Sequence, residues 1–135
     1  MSGETNLRRL LAGMRPMLQP GIFVFATLPA GSPLPAGVDP LMIFRESEGV
    51  TLILEEAAAR NAGLAGNFRA CMITLEIHSS LEAVGFLAAI TARLAAAGMG
   101  VNPVSAFYHD HLFVPSERAA EAMRILESMA RDAAS

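Results

Sequence analysis

Two short segments concentrate the polar side chains that could bind a ligand or carry out acid–base chemistry. The first is His-Ser-Ser-Leu-Glu at residues 78–82, and the second is Tyr-His-Asp-His at residues 108–111. Together they hold all three histidines of the 135-residue chain. Serine hydroxyls and backbone amides suit a ligand carboxylate, a side-chain carboxylate suits an ammonium group, and imidazoles suit protons or metals. The sequence therefore predicts a binding site at one or both segments.

The second segment invites a metal site or a catalytic pair, but its spacing favours neither. His109 and His111 flank a predicted turn, where Asp110 accepts backbone hydrogen bonds and the two imidazoles diverge. A fourth metal ligand is not evident in the sequence. No activated serine or cysteine accompanies the histidine–aspartate pair. We predict no metal and no catalytic residue, and the secondary ligand-binding candidates are Tyr108, His109, Asp110 and His111.

The elements that must position these segments repeat in order along the chain. In the first half, the pattern predicts a helix capped by Thr5, a strand at 22–28, a Pro/Gly-rich loop at 29–40, strands at 41–47 and 50–54 joined by a Glu48-Gly49 turn, and a helix at 55–61 that Gly63 ends.

The second half has the same order with a helix in place of the loop. It reads as a strand at 70–77, a helix, two strands around the Tyr108–His111 turn, and an amphipathic last helix. The first of these helices begins at Ser79 or Ser80 in a capping box with Glu82 and runs to about Ala97, where Gly98 stops it.

Both halves therefore read as β-α-β-β-α, with the crossover helix of the first half replaced by the loop. Each lacks the closing fourth strand of a βαββαβ module and must borrow one from the other half or from a partner. The predicted fold class is α+β and ferredoxin-like, with two degenerate modules packed together, antiparallel sheets and helices on one face. The predicted domains are residues 1–66 and residues 67–135.

The helix after Ser79 is apolar nearly all round, which predicts burial on two sides. Leu81, Val84 and Leu87 belong to one apolar stripe, and Phe86 and Ile90 belong to another. The chain is also rich in apolar residues, at 53% with a mean hydropathy of +0.41. Because a small monomer has little interior, we predict a homodimer with Phe86 at the interface.

Composition excludes several classes of partner. The net charge is −3 and the ten basic residues are scattered arginines, so no nucleic-acid surface is predicted. The apolar run Ala83–Ala92 is about half the roughly 20 residues of a membrane-spanning helix. Arg15-Pro16 interrupts the apolar stretch after Arg8-Arg9, so no export signal is expected and the predicted location is cytoplasmic. Cys71 reads as an inert core thiol and the methionines as core filler, so no cofactor is expected.

The most informative stretch consists of HSSLEAVG (78–85), FLAAITARLAAAG (86–98) and MGVNPVSAFY (99–108). It resembles the ACT domain, whose modules have a polar loop after the first strand, a glycine near the start of the first helix and a small-residue break before strand two. The resemblance covers about residues 70–126, and over 22–54 only the strand order fits. It is similar to small stand-alone proteins with paired ACT modules and, more distantly, to the tandem ACT regions of aspartate kinases. His-Ser-Ser stands where an Asp- and Pro-containing loop is frequent.

The resemblance implies a ligand site at the start of the helix. Backbone amides and serine hydroxyls would take a ligand carboxylate, and Glu82 or Asp110 would take its ammonium group. The alternative is that the serines only cap the helix and Glu82 only closes the capping box. Arg45 and Glu46 would line a second site or pair with each other on a sheet surface. The residues implied in ligand binding are His78, Ser79, Ser80, Leu81, Glu82, Val84, Gly85 and Asn102.

The leading functional hypothesis is a stand-alone regulatory protein that binds a small molecule, an amino acid by the resemblance. It would act as a ligand-responsive homodimer through a regulated protein partner and would not be an enzyme. One alternative is a small enzyme that uses His78, His109 and Asp110 in a pocket at a subunit interface. Another is an oligomerisation module that binds no ligand.

Overall fold

The computed structural model describes residues 5–135, which form two compact units. Unit 1 contains residues 5–20 and 71–135, and unit 2 contains Gly21–Ala70. The elements in chain order are α1 (Leu7–Gly13), β1 (Arg15–Leu18), β2 (Phe23–Pro29), β3 (Met42–Arg45), β4 (Gly49–Glu55), α2 (Glu56–Asn61), β5 (Asn67–Glu76), α3 (Phe86–Ala96), β6 (Asn102–Ser105), β7 (Asp110–Pro115), a 3-10 turn (Ser116–Arg118) and α4 (Ala119–Ala134).

The units differ from the predicted division at residues 66 and 67, which remains a prediction about the sequence repeat. The difference arises because residues 5–20 pack with the second half of the chain. In unit 1, Leu10 of α1 and Met14, which directly follows α1, are buried in the same core as α3 and α4.

Unit 1 has a four-stranded sheet in the order β1-β5-β7-β6, to which β5 contributes its part from Cys71 onwards. The predicted module lacked a fourth strand, and β1 supplies it. It pairs antiparallel with β5, with Arg15 opposite Glu76 and Leu18 opposite Ile73. The pattern did not reveal β1 because it has only four residues and contains Pro16, which removes an amide donor and suits only a strand at a sheet edge.

One face of the unit 1 sheet carries the hydrophobic core. Side chains alternate along a strand, so Ile73 and Leu75 of β5 and Leu112 and Val114 of β7 point to the same side. The helices α1, α3 and α4 cover this side with buried residues that include Ile90, Leu94, Ala122, Leu126 and Met129. The prediction of helices on one face of an antiparallel sheet is confirmed here.

Unit 2 repeats the same strand order, β3-β4-β2-β5, with the first residues of β5 as the closing strand. Phe23 of β2 lies opposite Ala70 of β5. The core face of β2 and β4 carries Val24, Leu52 and Leu54, and the six-residue α2 covers it with Ala59. The two units together confirm the α+β, ferredoxin-like fold with two modules.

A Pro/Gly-rich loop replaces the crossover helix of unit 2, as predicted. It is built from turns in which the Ser32 amide donates to the Pro29 carbonyl (3.0 Å) and the Val38 amide donates to the Pro35 carbonyl (3.2 Å). Only Val38 of this loop packs against the unit 2 core. The loop therefore covers much less apolar surface than a helix would.

Gly49 follows the hairpin turn for a reason that differs from the predicted one. A Glu48-Gly49 turn predicts a glycine with a positive φ, yet Gly49 does not have one. A Cβ atom at Gly49 would instead lie 2.6 Å from the Leu28 carbonyl oxygen and 2.9 Å from the Thr27 hydroxyl. Close packing of β4 against β2 is thus what requires glycine at this position.

The predicted role of Phe86 at a dimer interface is wrong. Phe86 is 3% exposed and packs in the unit 1 core with Ile90 and Leu94. The error arose because Leu81 and Val84 precede α3 and do not extend its apolar stripe. The outward side of α3 carries exposed Ala88, Ala92 and Ala95. The homodimer stays a prediction. The argument that α3 has two large apolar faces no longer supports it.

Candidate functional site

The loop between β5 and α3 does not have the predicted conformation. The capping box of Ser79 with Glu82 is not formed, because the Glu82 amide donates to the Ser80 hydroxyl oxygen (3.0 Å). The Ala83 amide donates to the Ser80 carbonyl (3.0 Å), so residues 80–83 make a turn. Serine hydroxyls often compete with helix formation in this way. The helix begins at Phe86, seven residues after Ser79.

Gly85 makes this late helix start feasible. It is the N-cap of α3 with φ +91°, a left-handed conformation that residues with a Cβ atom rarely adopt. The nearest atom to a Cβ built here would be Leu7 Cδ2 at 3.6 Å, an ordinary contact. Gly85 is thus required for its backbone conformation.

The hairpin of β6 and β7 supplies the second wall of the site. Ser105 lies opposite Asp110, and the four residues between them form a turn in which the Ala106 amide donates to the His109 carbonyl (3.0 Å). Asp110 is therefore the first residue of β7, whereas the sequence had placed it within the turn. Its carboxylate oxygen Oδ1 accepts a hydrogen bond from the Ser105 hydroxyl at 2.6 Å.

The loop and the hairpin enclose a cavity of about 190 Å³ in unit 1. Its apolar base includes Phe86 and Leu87 at the start of α3. Drug-sized ligand pockets measure about 300–1,000 Å³, so this cavity suits a smaller molecule. The polar residues that line it are Ser79, Ser80, Ser105 and Asp110.

The cavity brings together only some of the predicted residues. Ser79, Ser80, Leu81 and Asp110 line it, and Ser105, Ala106, Phe86 and Leu87 line it although sequence reasoning missed them. The pairing of Ser105 with Asp110 could have been inferred from the hairpin register. The predicted residues that do not line the cavity are His78, Glu82, Val84, Gly85, Asn102, Tyr108, His109 and His111.

Several of these residues lie on the surface or elsewhere in the unit. Glu82 and Val84 are exposed, Val84 to 83%. Asn102 and Ser105 are the two ends of β6, so Asn102 lies about 10 Å along the strand from Ser105. Of the two alternatives for Arg45 and Glu46, the structure agrees with a surface position, because both side chains are exposed and Glu46 accepts a hydrogen bond from Thr51.

An aromatic cluster joins the loop to the hairpin turn. The His78 ring centroid lies 5.5 Å from that of Tyr108 and 6.3 Å from that of Phe107. Phe107 and Tyr108 pack edge to face at 5.0 Å, and each is 63% exposed. The His109 imidazole lies 3.3 Å from the Ile77 carbonyl oxygen. These contacts hold the two walls of the cavity next to each other.

His111 belongs to a hydrogen-bonded chain on the face of β7 that lies opposite to the face with Asp110. The side-chain amide of Gln19 donates to the Thr74 hydroxyl oxygen (3.1 Å), and that oxygen lies 3.0 Å from His111 Nδ1. The Thr74 hydroxyl can then donate its proton to a neutral imidazole. Burial lowers the pKa of His111, the neighbouring His109 lowers it further, and Asp110 raises it in part.

The catalytic alternative receives no geometric support. Among residues 5–135, no group of three or more His, Cys, Asp and Glu side chains is arranged to hold a metal ion. The hydrogen bond of Asp110 goes to Ser105, while His109 contacts a backbone carbonyl and His78 contacts aromatic rings. Within the same described part of the chain, no helix is long and apolar enough to cross a membrane.

Two family models match the chain, and both are described as ACT domain. One matches residues 2–71 and the other residues 67–128. The chain belongs to the ACT domain family. This membership confirms the predicted resemblance and supports a regulatory role in which a small molecule is bound.

Solved structures agree with this family. The chain is similar to a Vibrio cholerae protein of unknown function, described as a possible transport protein, with 40% identity over 92% of this chain and 95% of that chain and a TM-score of 0.83. An Agrobacterium tumefaciens protein matches with 18% identity over 87% and 89% of the two chains and a TM-score of 0.71. The ligand-free regulatory subunit of aspartate kinase from Thermus thermophilus has the same fold, with 12% identity over 87% and 99% and a TM-score of 0.65. No curated protein matches the sequence.

Proposed function

We propose that this ACT domain protein is a stand-alone sensor that binds a small amino acid in the unit 1 cavity. The observation that carries the proposal is the cavity itself, which lies between the β5–α3 loop and the β6–β7 turn. Its hydroxyls and carboxylate offer hydrogen bonds to a zwitterion, and its volume of about 190 Å³ limits the ligand to a small one. The tandem family matches and the likeness to aspartate kinase regulatory subunits support the same role.

The protein would act as a ligand-responsive homodimer and pass its signal to a protein partner in the cytoplasm. It would not catalyse a reaction. Both walls of the cavity carry exposed apolar side chains, Leu81 on the loop and Phe107 on the turn. A ligand that bridges the walls would change the surface that these side chains present, which gives binding a route to assembly.

A thermal-shift screen of the twenty amino acids tests this proposal. A ligand present at a hundred times its Kd stabilises a protein by about 2.7 kcal/mol, which is easily measured. Ala83→Leu should abolish the shift by filling the cavity, whereas Ala88→Leu, an exposed position on α3, should preserve it. Sedimentation with and without the active amino acid then reports the change in assembly.

The absence of any shift at millimolar concentration would contradict the proposal and favour a module that binds no ligand. A shift that Ala83→Leu leaves unchanged would place the ligand outside the unit 1 cavity.

A further inference from the structure

Asp110 is a buried carboxylate without a counter-ion. It is 9% exposed, and its described hydrogen bond is the one that Ser105 donates. Over residues 5–135, the ion pairs join Arg15 to Glu76, Arg69 to Glu56 and Arg118 to Glu121, and none includes Asp110. A buried charge is strongly unfavourable unless an opposite charge and hydrogen bonds compensate it. Asp110 therefore offers a carboxylate at the cavity wall with which a cation that enters the cavity can pair.

The histidines next to Asp110 in sequence do not supply this cation within the cavity. Successive residues of a strand point to opposite faces, so His111 lies on the side of β7 away from Asp110. There His111 interacts with Thr74 (3.0 Å), and burial lowers its pKa, which favours the neutral form. His109 lies in the turn against the Ile77 carbonyl.

The rest of the cavity lining is neutral. Ser79 is 8% exposed, and no described residue makes a hydrogen bond with its hydroxyl. Ser80 already accepts from the Glu82 amide through its own hydroxyl oxygen. Since no basic side chain lines the cavity, it offers a strong partner to a cation and only neutral hydrogen-bond donors to an anion.

We infer that the unit 1 cavity is an ammonium-binding site. In it, Asp110 receives the cationic amine of the ligand, and Ser105 positions the carboxylate of Asp110. This inference rests on the proposed function and specifies its ligand class, because the amine becomes the essential group. The ligand carboxylate contributes less, and a molecule that keeps the amine without the carboxylate still binds.

Matched small molecules test the inference on the unaltered protein. Glycine, alanine and serine keep both charged groups, glycolate and lactate lack the amine, and glycinamide and alaninamide lack the carboxylate. In calorimetric titrations we expect the amides to bind within about tenfold of the amino acids. The hydroxy acids should bind at least tenfold more weakly, because hydrogen bonds to charged groups are the stronger ones.

Equal binding of lactate and alanine would overturn the ammonium site while leaving a small-molecule sensor intact. Failure of every probe, together with the other amino acids, would overturn the proposed function and this inference with it.

Variants of the cavity residues test which side chain binds the amine of the ligand. Asp110→Asn should weaken alanine binding about 10- to 100-fold, and Ser105→Ala should weaken it less, with recovery in Ser105→Thr. Asp132→Asn, an exposed position on α4, is the matched control and should bind like the wild type. Ligand-free Asp110→Asn should melt at an unchanged or higher temperature, because it removes an uncompensated charge.

Glu82→Gln separates the two carboxylates that sequence reasoning had offered for the ammonium group. Glu82 is exposed and does not line the cavity, so this variant should bind alanine like the wild type. Loss of binding in Glu82→Gln with retention in Asp110→Asn would overturn the assignment.

Discussion

The two units share a strand order but differ in what connects their first two strands. In unit 1, β5 leads to the eleven-residue α3 and to a cavity beside the buried Asp110. In unit 2, β2 leads to the Pro/Gly-rich loop, and the cavity of about 570 Å³ beneath it is lined by exposed carboxylates, Asp39 and Glu55. The same strand order thus accompanies two different cavities, one with the buried carboxylate of Asp110 and one with exposed carboxylates.

Deletion of the residues before Gly21 should produce the largest difference in stability between the two units. Unit 1 would lose β1 and α1, including the buried Leu10 and Met14. Each of these large core side chains contributes about 2–5 kcal/mol. Amide hydrogen exchange should show β7 losing protection while β2 and β4 retain it. Retained protection of β7 would mean that the sheet of unit 1 closes without β1.

Phe86→Glu should be the most disruptive single substitution in α3. It places a carboxylate without a partner in the unit 1 core, at a cost of about 4 kcal/mol or more in urea denaturation. Ala88→Glu, two residues on and exposed, should change stability by less than about 0.5 kcal/mol. If sedimentation shows that Ala88→Glu breaks a dimer, the outward alanine face of α3 is the interface.

Substitutions at two glycines compare the cost of a steric clash in unit 2 with the cost of an unfavourable backbone conformation in unit 1. Gly49→Ala should cost about 2–3 kcal/mol, because the new Cβ would lie 2.6 Å from a backbone carbonyl that cannot yield. Gly85→Ala should cost about 1–2 kcal/mol, because the new Cβ would make only an ordinary contact with Leu7 and the φ of +91° alone is unfavourable.

Asparagine distinguishes the two causes in the same denaturation measurement. It tolerates the left-handed conformation, so Gly85→Asn should recover part of the loss, whereas Gly49→Asn should not. Similar behaviour of asparagine at the two positions would contradict this explanation.

Acidification should affect the two units in different pH ranges, and this is the smallest expected effect. In unit 1, the pKa of His111 is lowered, so the unfolded chain binds the proton first. Stability should therefore fall as the pH drops below about 6.5 and level off below the folded-state pKa. In unit 2, the hydrogen bond from Arg69 lowers the pKa of Glu56, which confines its effect to pH below about 4.5.

Melting temperatures measured between about pH 7.5 and about pH 3 check this order. His111→Gln should flatten the part of the curve just below pH 6.5, and a curve unchanged by this substitution would assign the loss to other groups.

Much of the fold could be predicted because apolar periodicity and glycine or proline breaks are local signals. Gly63 and Gly98 have positive φ where helices α2 and α3 end, as predicted. The strand β1 could not be predicted, because its pairing with β5 spans about 60 residues and Pro16 masks its strand character. Long-range pairing leaves no trace in a short sequence window.

The candidate site was predicted in part for a related reason. Ser79, Ser80 and Asp110 were recognised by their polarity beside apolar elements, and their position around one cavity follows from the fold. The start of α3 was misplaced because Ser79 and Glu82 have the spacing of a capping box. The competing turn at Ser80 and the left-handed Gly85 decide the actual start, and both are choices of backbone conformation.

The position of β1 also bears on synthesis at the ribosome. Unit 2 has all its strands once Ala70 has been made, so it can fold while the rest of the chain is still being translated. The segment that forms α1 and β1 precedes unit 2 in the chain, yet it has no sheet to join until β5 and β7 follow. At about 5–20 residues per second this interval lasts several seconds. During it, Leu10 and Leu11 are exposed to other nascent chains and to chaperones, so this segment stays without its partners after unit 2 can fold.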